Sequence, residues 1–158
     1  MRISRELLDE LVAHAREEAP NECCGVVAVE PGLSPQSAHG PRSRGGAGGV
    51  DDPAPPRAAR LHRAVNTAAS PLRFEVDGRE LLRMIEAIEQ DGHELGAIYH
   101  SHTRTAPYPS QTDINFAANW PGVEWIIVGL AGEEPPRVRS YLISDGEVSE
   151  VTIEETAA

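Results

Sequence analysis

The stretch from Gly96 to Trp120, GAIYHSHTRTAPYPSQTDINFAANW, constrains the chain more than any other. Ala97, Ile98 and Tyr99 form a short apolar run that reads as a buried strand entering His100-Ser101-His102. Side chains alternate along a strand, so His100 and His102 face one way and Ser101 the other. A polar, proline-punctuated loop covers Thr103 to Pro109, and Ser110 then opens a predicted helix as its N-cap. Asp113, three residues on, can bond back to the cap and meets the positive end of the helix dipole. Either half alone would be an ordinary strand end or an ordinary helix cap. Together they spell His-x-His, seven residues, Ser, two residues, Asp.

Two imidazole nitrogens and one carboxylate suit zinc, and three protein ligands leave the fourth tetrahedral position to water. That is the pattern of a catalytic rather than a structural site: the metal brings the pKa of such a water to about 7 and polarises a scissile carbonyl. An amide nitrogen leaves poorly unless protonated, so a proton shuttle has to come from elsewhere in the chain.

HSHTRTAPYPSQTD resembles the signature of the JAMM (MPN+) zinc metallopeptidases. Their upstream glutamate sits after the first helix, before a Cys-Gly and a strand, where this chain has Pro20-Asn21-Glu22-Cys23-Cys24-Gly25-Val26-Val27. The resemblance makes His100, His102 and Asp113 the ligands of one Zn2+, Glu22 the general base and acid, and Ser110 the donor to the oxyanion. It also implies a deaminase-like MPN fold. HAREEAPNECCGVVA, YHSHTRTAPYPSQTD and YLISDGEV together resemble the bacterial hydrolases that release cysteine from a ubiquitin-like sulfur carrier protein. The implied partner is a small carrier with a C-terminal Gly-Gly tail, which could lie as an added strand beside an exposed sheet edge and enter beside the metal strand. Arg104 is then a candidate to bind the carboxylate of the released residue.

Composition narrows the alternatives. At 158 residues the chain is one domain's worth. No apolar run is long enough to span a membrane, and MRISRELLDELVAHAREE is too charged for a signal peptide, so a cytoplasmic protein is expected. The 14 basic residues are all arginine, and a net charge of −11 argues against a nucleic-acid partner. Adjacent Cys23 and Cys24 make a mutual disulfide strained and fit reduced, buried thiols better than ligands. A zinc deaminase would need His-x-Glu and Pro-Cys-x-x-Cys, and neither is present. A silent MPN scaffold, or a peptidase acting on a different modifier or peptide, stays open.

Around the motif, Ser4 caps a predicted helix to about Glu18, with Leu8, Leu11, Val12 and Ala15 on one face. Cys24 to Val29 reads as a strand that places Glu22 in the turn before it. Residues 31–57 are rich in Gly, Pro, Ser and Ala and read as a flexible insertion within the single domain 1–158. Ala59 to Thr67 is the next predicted strand and Leu72 to Val76 a shorter extended piece. Asp77 caps a second helix, with Glu80 closing a capping box and Leu81, Met84, Ile85 and Ile88 facing inward. The last helix is expected from Ser110 to Asn119. Val123 to Leu130 reads as a central strand, and Arg137 to Ile143 and Glu147 to Ile153 as a hairpin across Asp145-Gly146. The fold class is mixed α/β, a mixed sheet flanked by helices. His14, His39, His62 and His93 have no partner motif and are read as unconnected with the site.

Overall fold

The structure is a computed structural model describing residues 1–32, 54–132 and 134–157. The reading of 31–57 as a flexible insertion falls almost entirely on residues outside these, as does His39.

Chain order is β1 (Arg2–Ser4), α1 (Arg5–Glu18), β2 (Cys24–Val29), β3 (Ala58–Ala64), α2 (Gly78–Gln90), β4 (Glu94–His102), α3 (Gln111–Ala117), β5 (Glu124–Gly129), β6 (Arg137–Ser144), β7 (Glu147–Val151) and β8 (Glu154–Thr156). Among the described residues, six strands form one mixed sheet in the order β3-β2-β4-β5-β6-β7. All pairs in it are antiparallel except β4 with β5. A parallel pair needs a crossover, and α3 with its flanking loops is that connection. Every residue of β2 and of β5 is buried, as expected for strands covered on both faces.

The two faces carry separate cores. Tyr99, Ile126, Val128 and Val27 pack against α1 through Leu11 and Ala15. Ile98, Trp125, Ile127 and Tyr141 pack against α2 through Ile88 and against α3 through Ala117. Alternation along β4 therefore puts His100 and His102 on the α2/α3 face, with Ser101 on the α1 face.

Ser4 caps α1, accepting from the Leu7 amide, and Asp77 caps α2, accepting from the amides of Arg79 and Glu80. The capping box expected at α2 does not close, because the Glu80 carboxylate accepts from the Val65 amide instead. The strand expected to Thr67 stops at Ala64. Asn66 breaks it: its side-chain oxygen takes the Ala68 and Glu75 amides, offering the backbone an alternative to the ladder. Residues 72–76, expected as an extended piece, form no strand, and α3 starts at its expected N-cap, Ser110, but stops at Ala117, short of Asn119. The β6–β7 hairpin turns at Asp145 and Gly146, both at positive φ, as an Asp-Gly turn requires. The parallel pairing of β1 with β8 was not legible, because three-residue strands carry too little pattern to read.

β4 sits inside the sheet, hydrogen-bonded to β2 on one side and β5 on the other. The strand that carries the two histidines is therefore an inner one, and the edges of the sheet are β3 and β7. No helix among the described residues is long and apolar enough to cross a membrane.

Candidate metal centre

The end of β4 and the start of α3 bring three side chains together. His100 Nε2 lies 3.1 Å from His102 Nε2 and 3.2 Å from Asp113 Oδ2, and His102 Nε2 lies 3.6 Å from the same oxygen. All three residues are buried. In a tetrahedral zinc site with bonds near 2.0–2.1 Å, neighbouring ligand atoms stand about 3.3 Å apart. The observed separations bracket that value, so this donor set fits one small divalent ion without rearrangement.

The surroundings hold each ligand in place. His102 Nδ1 donates to the Ala106 carbonyl at 2.8 Å, which fixes the tautomer of the neutral ring with Nε2 bare; the protonated ring donates from Nε2 toward Asp113. The His100 ring stacks on Phe74 at 4.6 Å and meets Trp125 edge-on. The expected capping box at α3 is present: the Ser110 hydroxyl accepts from the Asp113 amide at 3.2 Å, and Asp113 Oδ2 accepts from the Ser110 amide at 2.8 Å. Local helix capping and ligand placement are thus the same hydrogen bonds.

Electrostatics follow burial and pairing. Burial pushes the pKa of His100 down. For His102 burial acts in the same direction, but the hydrogen bonds to Asp113 and the Ala106 carbonyl, together with the charges of Asp113 and Glu22, outweigh it and raise the pKa. The Asp113 carboxyl resists burial and is held well below the usual carboxylate range by hydrogen bonds from His100 and then His102. Two rings crowding one carboxylate are what a cation would otherwise hold together.

Glu22 reaches the site through strand register. Cys24 pairs with His100, and the Cys23 amide donates to the Ser101 hydroxyl while the Ser101 amide donates to the Cys23 carbonyl. Continuing that antiparallel register places Glu22 opposite His102. Glu22 is only 4% exposed, and burial pushes its pKa up to about 7, with the His102 charge opposing and the Asp113 charge reinforcing the shift. A carboxyl poised there can both accept and return a proton near neutral pH.

Asn66, which sequence reasoning missed, fastens this glutamate. Its side-chain amide donates to the carbonyls of Glu22 and Arg73 at 3.0 Å, its oxygen accepts from two backbone amides, and the Glu22 amide donates to the Ser70 carbonyl. Asn66→Ala leaves these backbone groups without their partner, at about 1–3 kcal/mol for each that water cannot reach. Lower thermal stability and a reduced kcat, with metal content retained, are expected. Metal analysis alongside steady-state kinetics checks this.

Tyr141 was also missed: its hydroxyl donates to the Pro107 carbonyl, bracing the loop that supplies the Ala106 carbonyl to His102. Nothing in the sequence links these positions, since the contact spans two strands of the sheet. Arg104 stands exposed on the loop after His102, apart from the buried cluster.

The two cysteines are free and buried on opposite faces of β2, as expected of packed thiols. Burial pushes Cys23 up to about 11 and Cys24 up to about 12. The thiolate is the reactive species, so raised values mean that almost none is present at pH 8. Both cysteines should resist a thiol-reactive dye at that pH in the folded protein and react only after denaturation.

Beside the cluster a cavity of about 190 Å³ opens between Phe74, Val76, Thr112, Asp113 and Phe116. The arrangement therefore joins a buried His-His-Asp cluster able to hold a metal ion, a neighbouring buried carboxyl and an adjoining apolar recess.

The family model for prokaryotic homologs of the JAB domain matches residues 4–144. A relative from Mycobacterium tuberculosis named CysO-cysteine peptidase is 32% identical over 94% of this chain and 86% of its own length. A desampylase from Haloferax volcanii is 33% identical over 82% of this chain and 81% of its own. Among solved structures, a protein from Desulfitobacterium hafniense superposes with a TM-score of 0.77 at 25% identity, covering 99% of this chain and 93% of that one.

Proposed function

The chain belongs to the family of prokaryotic JAB-domain proteins and is a hydrolase of that family, and from that premise we propose that it is a zinc-dependent peptidase acting on a ubiquitin-like sulfur carrier protein. The bond cut is the amide after the last glycine of the carrier's Gly-Gly tail, and the residue released is cysteine. The observation that carries this reading is the buried cluster of His100, His102 and Asp113 at the end of β4 and the start of α3, with the buried Glu22 carboxyl, just before β2, electrostatically coupled to His102 and Asp113. The resemblance of the chain along most of its length to a CysO-cysteine peptidase supports the choice of substrate.

His100, His102 and Asp113 would hold the ion. Zinc supplies Lewis acidity there, acidifying water and polarising the scissile carbonyl. Glu22 takes the proton of the attacking water and hands it to the departing amide nitrogen, a transfer suited to a group titrating near 7. The Ser110 amide is already engaged by Asp113, and its hydroxyl oxygen accepts from the Asp113 amide, which leaves the hydroxyl proton to donate to the developing oxyanion. Ser110 is exposed, so a substrate carbonyl can reach it. The apolar recess lined by Phe74 and Phe116 offers a seat for the tail residues that precede the glycines.

The test is incubation with sulfur carrier proteins that bear one extra C-terminal cysteine, followed by mass spectrometry. Loss of a single cysteine is expected. Cleavage of generic peptides but not of the carrier would refute the substrate while leaving the chemistry standing.

A further inference from the structure

The residues on either side of His102 both carry hydroxyls, and both reach the segment that carries Glu22. On one side the buried Ser101 hydroxyl accepts from the Cys23 amide at 2.8 Å, and the Ser101 amide donates to the Cys23 carbonyl at 3.2 Å. On the other, the Thr103 hydroxyl donates to the Pro20 carbonyl at 3.1 Å. It also faces the Pro71 carbonyl at 3.2 Å. A hydroxyl has one proton, so these two carbonyls share it in a three-centre bond.

Each contact bears on Glu22. Cys23 follows it directly and Pro20 stands two residues before it. Ser70, the neighbour of Pro71, accepts from the Glu22 amide at 2.9 Å. Glu22 itself lies between the end of α1 at Glu18 and the start of β2 at Cys24, so it takes its position from tethers to other segments rather than from a helix or a ladder. Thr103 is where those tethers meet. Its single side chain joins the turn before Glu22 and the segment bonded to the Glu22 amide to the residue next to His102.

We propose that Thr103 is a positioning residue for the reaction, setting the Glu22 carboxyl against the His100, His102 and Asp113 cluster by fixing both segments that hold Glu22. The proposal rests on the reading of Glu22 as the proton carrier and goes beyond it by naming what keeps that carboxyl in place. Placement matters because a shift of about 1 Å in a reacting group can cost about a hundredfold in rate. Ser101 pins the same segment from inside the sheet. Removing its hydroxyl leaves a buried amide unpaired, so folding and positioning fail together there. Thr103 is only half-buried, and its hydroxyl can be removed without that penalty.

The experiment is a double-mutant cycle between Thr103→Val and Glu22→Gln on a carrier bearing one extra C-terminal cysteine. It is read as kcat and KM, with zinc content and melting temperature measured for every protein. Valine keeps the branched shape and removes the hydroxyl. Thr103→Val alone is expected to lower kcat about three- to tenfold, the worth of one hydrogen bond, with KM and zinc content little changed. In the Glu22→Gln background the same change should leave kcat unaltered, because a side chain that carries no proton gains nothing from being held. Thr103→Ser should recover most of the lost rate, and Thr103→Ala replaces the valine variant if that protein does not fold. An equal loss of kcat in both backgrounds makes Thr103 a fold contact only and overturns the proposal. So does an unchanged kcat in Thr103→Val, a loss that falls on KM or zinc content instead, or failure of Thr103→Ser to recover rate. A Glu22→Gln protein with wild-type kcat refutes the proton-carrier reading itself, and wild-type protein that cuts no carrier refutes the tail reading; either takes the positioning role with it.

Discussion

Glu22→Gln lowers kcat on a carrier adduct by about 10²–10⁴-fold, the usual worth of a positioned acid–base group, while the protein keeps its metal. The glutamine fills the same space beside His102 but can neither take nor return a proton. The same substitution has an opposite consequence for stability. Glu22 is buried and its pKa is raised to about 7, mainly by that burial. Between the ordinary carboxyl value of 4.5 and 7 the unfolded chain releases this proton and the native protein retains it. Stability therefore falls as pH rises through that window, and above it the buried charge costs about 3 kcal/mol. In metal-free protein at pH 8, Glu22→Gln should accordingly raise the melting temperature, and the gain should disappear at pH 4. A variant that is nearly inactive and more stable is the signature of a group held for chemistry rather than for folding.

Removing the ion is the second large effect. Chelation should abolish hydrolysis, and added zinc should restore it. At an ion concentration of a thousand times its dissociation constant, binding stabilises the fold by about 4 kcal/mol, which for a chain of this size is on the order of 10 °C in melting temperature. This metal-dependent difference should shrink below neutral pH. Ligation needs His100 and His102 neutral, and pairing with Asp113 raises the pKa of His102 against the opposing effect of its burial, so protons compete for that ring. Thermal scans with and without chelator at pH 6 and pH 8 measure both effects.

Much of the site could be read directly from the sequence because its geometry is local. His100 and His102 share a face by strand alternation alone, and Asp113 is set by a capping box that Ser110 announces. Glu22 was reached through resemblance; its structural reason, the antiparallel register of β2 with β4, joins residues far apart in the chain. Asn66 and Tyr141 were not legible for the same reason. Each acts across the sheet or between loops, and no periodicity or cap marks such a contact. The segment following β3 misled the reading because its apolar residues suggested a strand, whereas one asparagine side chain captured the backbone groups a strand would have used. Sequence gives a strand but not its neighbours, so the inner place of β4, with one strand on each side, could not be read from it.

The central claim is that His100, His102 and Asp113 hold one zinc ion. Metal analysis of protein purified without chelator, joined to X-ray absorption at the zinc edge, tests it most directly. One zinc per chain is predicted in wild type, four-coordinate with two imidazoles in its shell, and little or none in His102→Ala. Wild-type protein that binds no zinc when supplied with it, or a His102→Ala protein that retains a full equivalent, would contradict the account.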